Sequence, residues 1–196
     1  MKHCIIPKGK KLKMRIQTRT APKMTSAQKS TTKQDYKIQI PSELQEFGSW
    51  VGKICVIGTK GFLPNSGAQN VFLALDENLE NVVSISSEMH DYEERGEAGQ
   101  ICLQLIQSGD FSQNSFDHFV KVAPPTRVQK LSFTTKDFSS DSGLILSFES
   151  GKEVIIVAAA YPFYLSIIGL RDGIETTPEF GLASYLKEEV FSVSAQ

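Results

Sequence analysis

One acidic run, with a single histidine in it, contains the residue types in this sequence best suited to chemistry. Between positions 88 and 97, five carboxylates surround His90 and one positive charge, Arg95. The carboxylates are Glu88, Asp91, Glu93, Glu94 and Glu97. Carboxylates beside an imidazole can ligate a hard divalent cation or form a general acid–base pair. Glu88, His90 and Asp91 therefore define one alternative function, a metal-dependent hydrolase.

The same run fits two interpretations that involve no reaction. Its residues lack the fixed ligand order, with a glycine at the sixth position, that an EF-hand calcium loop needs. It can be a solvated acidic loop, or a contact surface that speeds association with a cationic protein and repels nucleic acid. Acidic residues of a preceding turn would enlarge that surface if the two loops lie together. The predicted partner-binding residues are Asp76, Glu77, Glu80, Glu88, Asp91, Glu93, Glu94 and Glu97.

Common cofactor and nucleophile motifs are missing from the sequence. The nearest match to a phosphate-binding loop, GSWVGKI at 48–54, is one residue short between its glycines and has Ile54 where a hydroxyl would hold magnesium. No G-x-G-x-x-G, G-x-S-x-G or H-E-x-x-H sequence occurs. We therefore expect no cofactor and no bound metal, and a protein that is not an enzyme.

Charge divides the chain into a basic leader and an acidic remainder. Residues 1–34 contain ten basic residues and no acidic one. The chain has 21 basic and 22 acidic residues, so residues 35–196 keep 11 basic and all 22 acidic ones, a formal charge of −11. A segment this polar and charged buries too little surface to fold alone, so the leader is predicted to be disordered. The acidic remainder points to a basic partner.

The leader has several interpretations. A secretory signal is excluded because the only apolar stretch, Cys4 to Ile6, is far too short. A transit peptide or a nucleic-acid-binding arm stays open, since clustered cations neutralise phosphates. Translation starting at Met24 would remove most of the basic residues and leave an inert upstream extension. Nucleic acid is therefore an expected partner only through the leader.

Cysteine usage and hydropathy favour a cytoplasmic protein. The three cysteines, Cys4, Cys55 and Cys102, are isolated, and the last two lie in apolar runs, as reduced core thiols do. The longest apolar stretch, residues 154–168, is interrupted by Pro162 and Ser166 and is too short to span a bilayer. We expect no membrane association.

The elements that must position these residues are mostly strands. Apolar runs predict strands at 35–40, 53–58 and 100–107, a hairpin of 71–75 with 82–86, and a polar loop at 90–99. Further strands are expected at 116–123 and 127–137, in a hairpin turning at Ser150 and Gly151, and after Pro162. Short helices are predicted from Ser42, with Trp50 on the core side, and at 178–188. Residues 35–196 thus form a single antiparallel, strand-rich α+β domain with about two short helices.

Two features of the C-terminal third bear on function. The aromatics of Tyr161-Pro162-Phe163-Tyr164 form either a partner pocket or the packed bend between two core strands. The sequence DSGLILSFESGKEVIIVAAAYPFYLSI, followed by PEFGLASY, resembles the hairpin-rich ends of small bacterial immunity proteins, which neutralise toxins. The resemblance covers about 60 residues of 196. It implies a non-enzymatic acidic protein that occludes a basic toxin surface, and it transfers no functional residue.

Overall fold

The fold is built from two β-sheets. The structure, a computed structural model, describes residues 33–44, 47–92, 96–107, 111–170 and 176–193. The described elements lie in the unit Thr31–Gln196. The leader predicted to be disordered, residues 1–34, lies outside the described residues except for Lys33 and Gln34, and Met24 lies outside them as well. The first sheet has the order β5-β4-β3-β2-β6, all antiparallel. Its strands are β2 (Val56–Lys60), β3 (Asn70–Ala74), β4 (Asn81–Tyr92), β5 (Gly96–Gln107) and β6 (His118–Lys121).

The second sheet uses the C-terminal part of the chain and one strand from its beginning. The order is β10-β9-β8-β7-β11, with β1 added beside β8. The pairing of β1 with β8 is parallel, from Gln34 opposite Phe138 to Tyr36 opposite Ser140. The other pairs are antiparallel. The strands are β1 (Gln34–Tyr36), β7 (Arg127–Thr134), β8 (Phe138–Ser147), β9 (Glu153–Ala158), β10 (Leu165–Ile168) and β11 (Leu186–Ser192).

The main hydrophobic core lies between the two sheets. Ile57, Leu73 and Ile85 of the first sheet pack in the same buried cluster as Leu144 and Ile156 of the second. All five are at most 2% exposed. Fully burying such a side chain contributes about 1.5–3 kcal/mol. The inward positions of these strands are apolar because the two sheets pack face to face through them.

Each sheet also has covered residues outside the main core. Phe72 of β3 packs with Phe116 and Phe111 from the segment before β6. In the second sheet, Leu131 and Tyr185 belong to a separate cluster with residues of β8 and β9. Strands buried on both faces read as continuous apolar runs rather than alternating ones. This is why 71–75 and 144–146 are apolar at every position.

The described residues contain less helix than the sequence predicts. The segment after Pro41 forms a single 3-10 turn, Ser42–Leu44, and a short α1 (Phe47–Val51). Trp50 is 2% exposed, as expected for a core residue. The helix predicted at 178–188 is wrong: a 3-10 turn at Leu182–Ser184 leads into β11. Strand pairing with β7 overrides the weak helical pattern, since it lets Glu188 reach Lys130 across the sheet. No described helix is long or apolar enough to cross a membrane.

Both predicted hairpins are confirmed, and one predicted loop is wrong. Ala74 pairs with Val82 in the first hairpin, and Ser147 with Glu153 in the second. Most of the polar segment 90–99 is strand rather than loop: β4 and β5 pair without interruption from Asn81 to Tyr92. Polar side chains are compatible with this because the hairpin extends past the main core.

Candidate functional site

The acidic residues predicted to bind a partner lie at two separate places. Asp76, Glu77 and Glu80 are in the turn between β3 and β4. Glu88 and Asp91 lie in β4, and Glu97 in β5, near the other end of that hairpin. Glu93 and Glu94 fall outside the described residues. Twelve residues of β4 span roughly 36 Å at about 3.3 Å per residue. The structure therefore does not bring the two groups into one local surface.

Asp76 has a structural task in the β3–β4 turn. Its carboxylate accepts hydrogen bonds from the backbone N–H groups of Glu80 and Asn81, both at 2.9 Å, and from the Asn81 side chain at 3.0 Å. Burial alone would raise the pKa of Asp76, but these hydrogen bonds outweigh it and lower the pKa below its ordinary value. Asp76 therefore stabilises the turn.

Glu88, His90 and Asp91 do not converge as the hydrolase alternative requires. In a strand, Glu88 and His90 project to one face and Asp91 to the other. The His90 ring stacks on Tyr36, with centroids 3.8 Å apart, and its Nε2 lies 2.8 Å from Oε1 of Gln100. Within the described residues, no three His, Cys, Asp or Glu side chains are placed to hold a metal ion. His90 instead links β4 to β1.

The thiols are poor nucleophiles. Cys55 and Cys102 are free and half-buried. Burial, followed by the charge and hydrogen bond of Glu88, raises the pKa of Cys102 to about 11. Burial likewise raises the pKa of Cys55. Because the reactive species is the thiolate, both cysteines are largely in the unreactive form at neutral pH.

Two carboxylates face each other across the β4–β5 hairpin. Asp91 pairs directly with Glu97 in the antiparallel register, so their side chains share one face. Both residues are exposed. Like charges directly opposite each other destabilise a sheet, on the order of 0.2–1 kcal/mol. The fold thus holds a concentrated negative charge where an unlike pair would be more stable.

A third carboxylate, Glu179, belongs to the same end of the molecule. Its Oε2 accepts the backbone N–H of Gly99 at 2.8 Å, while Ser140 Oγ donates to the Gly99 carbonyl at 3.1 Å. These two side chains satisfy the backbone N–H and carbonyl groups of Gly99 on the outer edge of β5, which has no further strand beside it in its sheet. Burial raises the pKa of Glu179 to about 7; the Gly99 N–H opposes this rise and the charge of Glu97 reinforces it.

The raised pKa of Glu179 predicts a pH-dependent stability. The folded state binds this proton more tightly than the unfolded state, whose pKa is near 4.5. The stability that protonated Glu179 gives the folded state is fully present below pH 4.5 and is lost as the pH rises through about 7. The rise from 4.5 to about 7 corresponds to about 3.4 kcal/mol, which solvent screening of the partly exposed side chain reduces to about 2 kcal/mol. The free energy of unfolding of the wild type should therefore fall by about 2 kcal/mol more than that of Glu179→Gln as the pH rises. Urea unfolding of both proteins at pH 5 and pH 8 measures the difference.

The glutamine in Glu179→Gln keeps an oxygen for the Gly99 N–H, so the comparison isolates the charge. Glu43→Gln removes an exposed carboxylate elsewhere and should follow wild type at both pH values. Parallel pH profiles for wild type and Glu179→Gln would contradict the assignment.

An exposed aromatic loop joins β9 to β10. Tyr161 is 54% exposed and Phe163 is 63% exposed. Phe163 has a φ of 64°, a left-handed conformation that is rare for a bulky residue and costs about 1–3 kcal/mol. The sequence allowed either a partner pocket or a packed bend between core strands, and Tyr161 and Phe163 are too exposed for the packed bend. Only Tyr164 is partly buried.

Contacts of Glu179 join the base of this loop to β5. Gly99, two residues after Glu97, donates to the Glu179 side chain, and the Glu179 N–H donates to the Ala158 carbonyl at 2.9 Å. Tyr161 follows Ala158 by three residues, roughly 10 Å of extended chain. We call this region the acidic–aromatic end. It consists of Asp91, Glu97, Glu179, Tyr161 and Phe163.

Glu179 is the member of this region that sequence reasoning missed. It lies in PEFG, between a proline and an aromatic residue, at the start of the segment predicted to be a helix. Nothing local distinguishes it from a solvated glutamate, because its contacts with Gly99 and Ala158 come from distant parts of the chain.

Comparison of the chain with models of protein families, with curated proteins and with solved structures found no match. The acidic–aromatic end must therefore be interpreted from its own geometry.

Proposed function

We propose that this protein is a non-enzymatic, cytoplasmic interaction domain that binds a basic protein partner through the acidic–aromatic end. The observation that supports it best is the facing pair Asp91 and Glu97 with Glu179 beside it. The ion pairs of the described residues are elsewhere: none involves any of these three carboxylates. A cationic partner would relieve their mutual repulsion.

The geometry narrows the surface expected from the sequence. A standard protein interface buries about 800 Å² on each partner, a patch roughly 30 Å across. Asp91 and Glu97 fit within one such patch, whereas the β3–β4 turn with Glu77 and Glu80 lies about 33 Å from Asp91 along β4. Glu88 projects to the opposite face of β4 and lies outside the patch. The proposal therefore assigns the contact to the β4–β5 end and leaves the turn outside it.

The narrower form of the proposal is an immunity protein whose partner is a basic toxin. It is supported by the resemblance of the C-terminal third and by the formal charge of −11 on residues 35–196. Complementary charge speeds the encounter of such partners and makes it sensitive to salt. A stoichiometric complex, rather than turnover of a substrate, is expected.

Neutralising the facing carboxylates tests the proposal. The full chain is used as bait in a nuclease-treated extract of cells that encode it, and any retained protein is identified and purified. Asp91→Asn with Glu97→Gln should slow its association about 10-fold or more at low salt, because steering charge is lost. Stopped-flow or surface plasmon resonance across a salt series measures the rate.

The matched control is Glu77→Gln with Glu80→Gln, which removes the same charge at the other end of β4. It should leave association within about 2-fold of wild type, since charge outside the contact patch acts only at long range. Equal losses in both double variants would show a general charge effect and contradict the assigned surface. If no protein is retained even at low salt, the function itself fails.

A further inference from the structure

Exposed apolar side chains are concentrated on two neighbouring loops. Among the described residues, six large hydrophobic side chains are exposed, and three of them lie here: Leu63 at 45%, Tyr161 at 54% and Phe163 at 63%. Leu63 belongs to the loop between β2 and β3, and the other two to the β9–β10 loop. Such clustering marks interaction sites, whereas scattered exposed apolar residues are ordinary.

The two loops are fixed to each other through the backbone. Ala68 and Leu165 exchange both hydrogen bonds of a bridge, at 2.9 and 2.8 Å. The Gln69 amide donates to the Tyr164 hydroxyl at 3.2 Å. Leu63 is held in the same loop by its own bridge to Gly67. The three exposed side chains therefore belong to one local surface.

The aromatic loop is held in its exposed conformation. The Tyr164 N–H donates to the Tyr161 carbonyl at 3.2 Å, and the Ala159 N–H donates to the Tyr164 carbonyl at 2.9 Å. The rings of Tyr161 and Tyr164 meet edge to face with centroids 5.1 Å apart. These contacts impose the left-handed Phe163 and present its ring to solvent. A surface ordered in advance loses little conformational entropy on binding.

We propose that Leu63, Tyr161 and Phe163 form the apolar anchor of the interface, and that its occupant is a partner segment in which lysine or arginine flanks an apolar side chain. This inference rests on the proposed function. Glu97 with its facing Asp91, together with the ionised fraction of Glu179, supplies the complementary charge. The same charges repel the anionic surface of a membrane, so a protein segment fits better than lipid. Aromatic anchors of this kind dominate binding energy at interfaces.

Two synthetic peptides test the anchor separately from the charge. One is rich in arginine with leucines between the arginines, and the other carries serine in place of each leucine. Fluorescence anisotropy measures their binding to the full chain at low salt. Wild type should bind the leucine peptide at least about 10-fold more tightly than the serine peptide. Tyr161→Ser with Phe163→Ser should remove that preference by weakening binding of the leucine peptide about 10-fold or more, while the salt dependence of binding is kept.

The control is Leu186→Ser, which removes a side chain that is also 63% exposed. Leu186 lies in β11, at the edge of its sheet opposite β10 and about 19 Å away at the usual strand spacing. This variant should keep the leucine preference. Urea unfolding and circular dichroism confirm that each variant is folded.

The outcomes separate the anchor from the function on which it depends. If neither peptide binds wild type at low salt, the proposed function fails and the anchor with it. If both bind equally, or if the leucine preference survives in Tyr161→Ser with Phe163→Ser, the anchor is overturned while the charged surface stands. Two results would overturn the assigned occupant: binding to phosphatidylcholine vesicles that is lost in Tyr161→Ser with Phe163→Ser, or a dimer in sedimentation analysis that is lost in the same variant.

Discussion

Replacing Asp141 by alanine should destabilise the fold by about 3 kcal/mol, because it removes one side of a buried ion pair. The Asp141 side chain is only 7% exposed and lies 3.2 Å from Lys130 Nζ. It also accepts the Ile38 N–H at 3.0 Å and the Ser132 hydroxyl at 2.7 Å. Lys130 keeps Glu188 at 3.0 Å, which limits the loss. The midpoint and slope of urea unfolding give the free energy.

Asp35→Ala is the matched control for Asp141→Ala. It breaks the pair with Lys37, whose side chains are 45% and 68% exposed. An exposed pair of this kind contributes at most about 1 kcal/mol. A loss of similar size in both variants would show that the buried network of Asp141 stabilises no more than a surface contact does.

Asp141 also shows where sequence reasoning fails. In the sequence SSDSG it has the composition of a turn, and a turn is what the local pattern predicts. In the structure it lies inside β8, where the register shifts so that Leu131 faces Gly143 but Ser132 faces Asp141. The serines and the aspartate occur there because a bulge, a parallel strand and a buried lysine meet at that point. No short window of sequence contains all three.

Replacing Gly67 by alanine should cost about 2–4 kcal/mol. Gly67 has a φ of 110°, which an L side chain rarely adopts, and an added Cβ would lie 2.1 Å from the Leu165 carbonyl oxygen. The strain costs about 1 kcal/mol and the clash with backbone adds about 1–3 kcal/mol. The bridge between Ala68 and Leu165 should open. Urea unfolding measures the loss, and amide exchange of those two residues locates it.

Gly151→Ala separates backbone strain from steric clash, the two costs expected in Gly67→Ala. Gly151 also has a left-handed backbone, with a φ of 78°, but an added Cβ there would meet nothing within 4 Å. It should therefore cost only about 1 kcal/mol, the conformational term alone. Equal costs at the two glycines would mean that the β2–β3 loop moves freely away from β10.

Features that depend on contacts between nearby residues could be predicted from the sequence, and features that depend on distant contacts could not. Both hairpins join residues fewer than 20 positions apart, so local apolar runs and turn residues are enough to predict them. By contrast, the contacts of Gly99 with Glu179 and of Ala68 with Leu165 join distant parts of the chain and depend on how the two sheets pack. The charge of the acidic–aromatic end could be predicted from the sequence, since composition requires no fold. The adjacency of aromatic loop and carboxylates could not.

The position of β1 and β6 has a consequence for how the chain is made. The first sheet takes its last strand, β6, from beyond residue 117, and the second takes β1 from before residue 37. During synthesis from the N-terminus, β2 therefore keeps an unpaired edge until residue 121 has left the ribosome, and β1 waits for β8. Neither sheet is complete in a nascent half-chain. The protein must be largely synthesised before it can fold, and until then its edges are open to wrong partners.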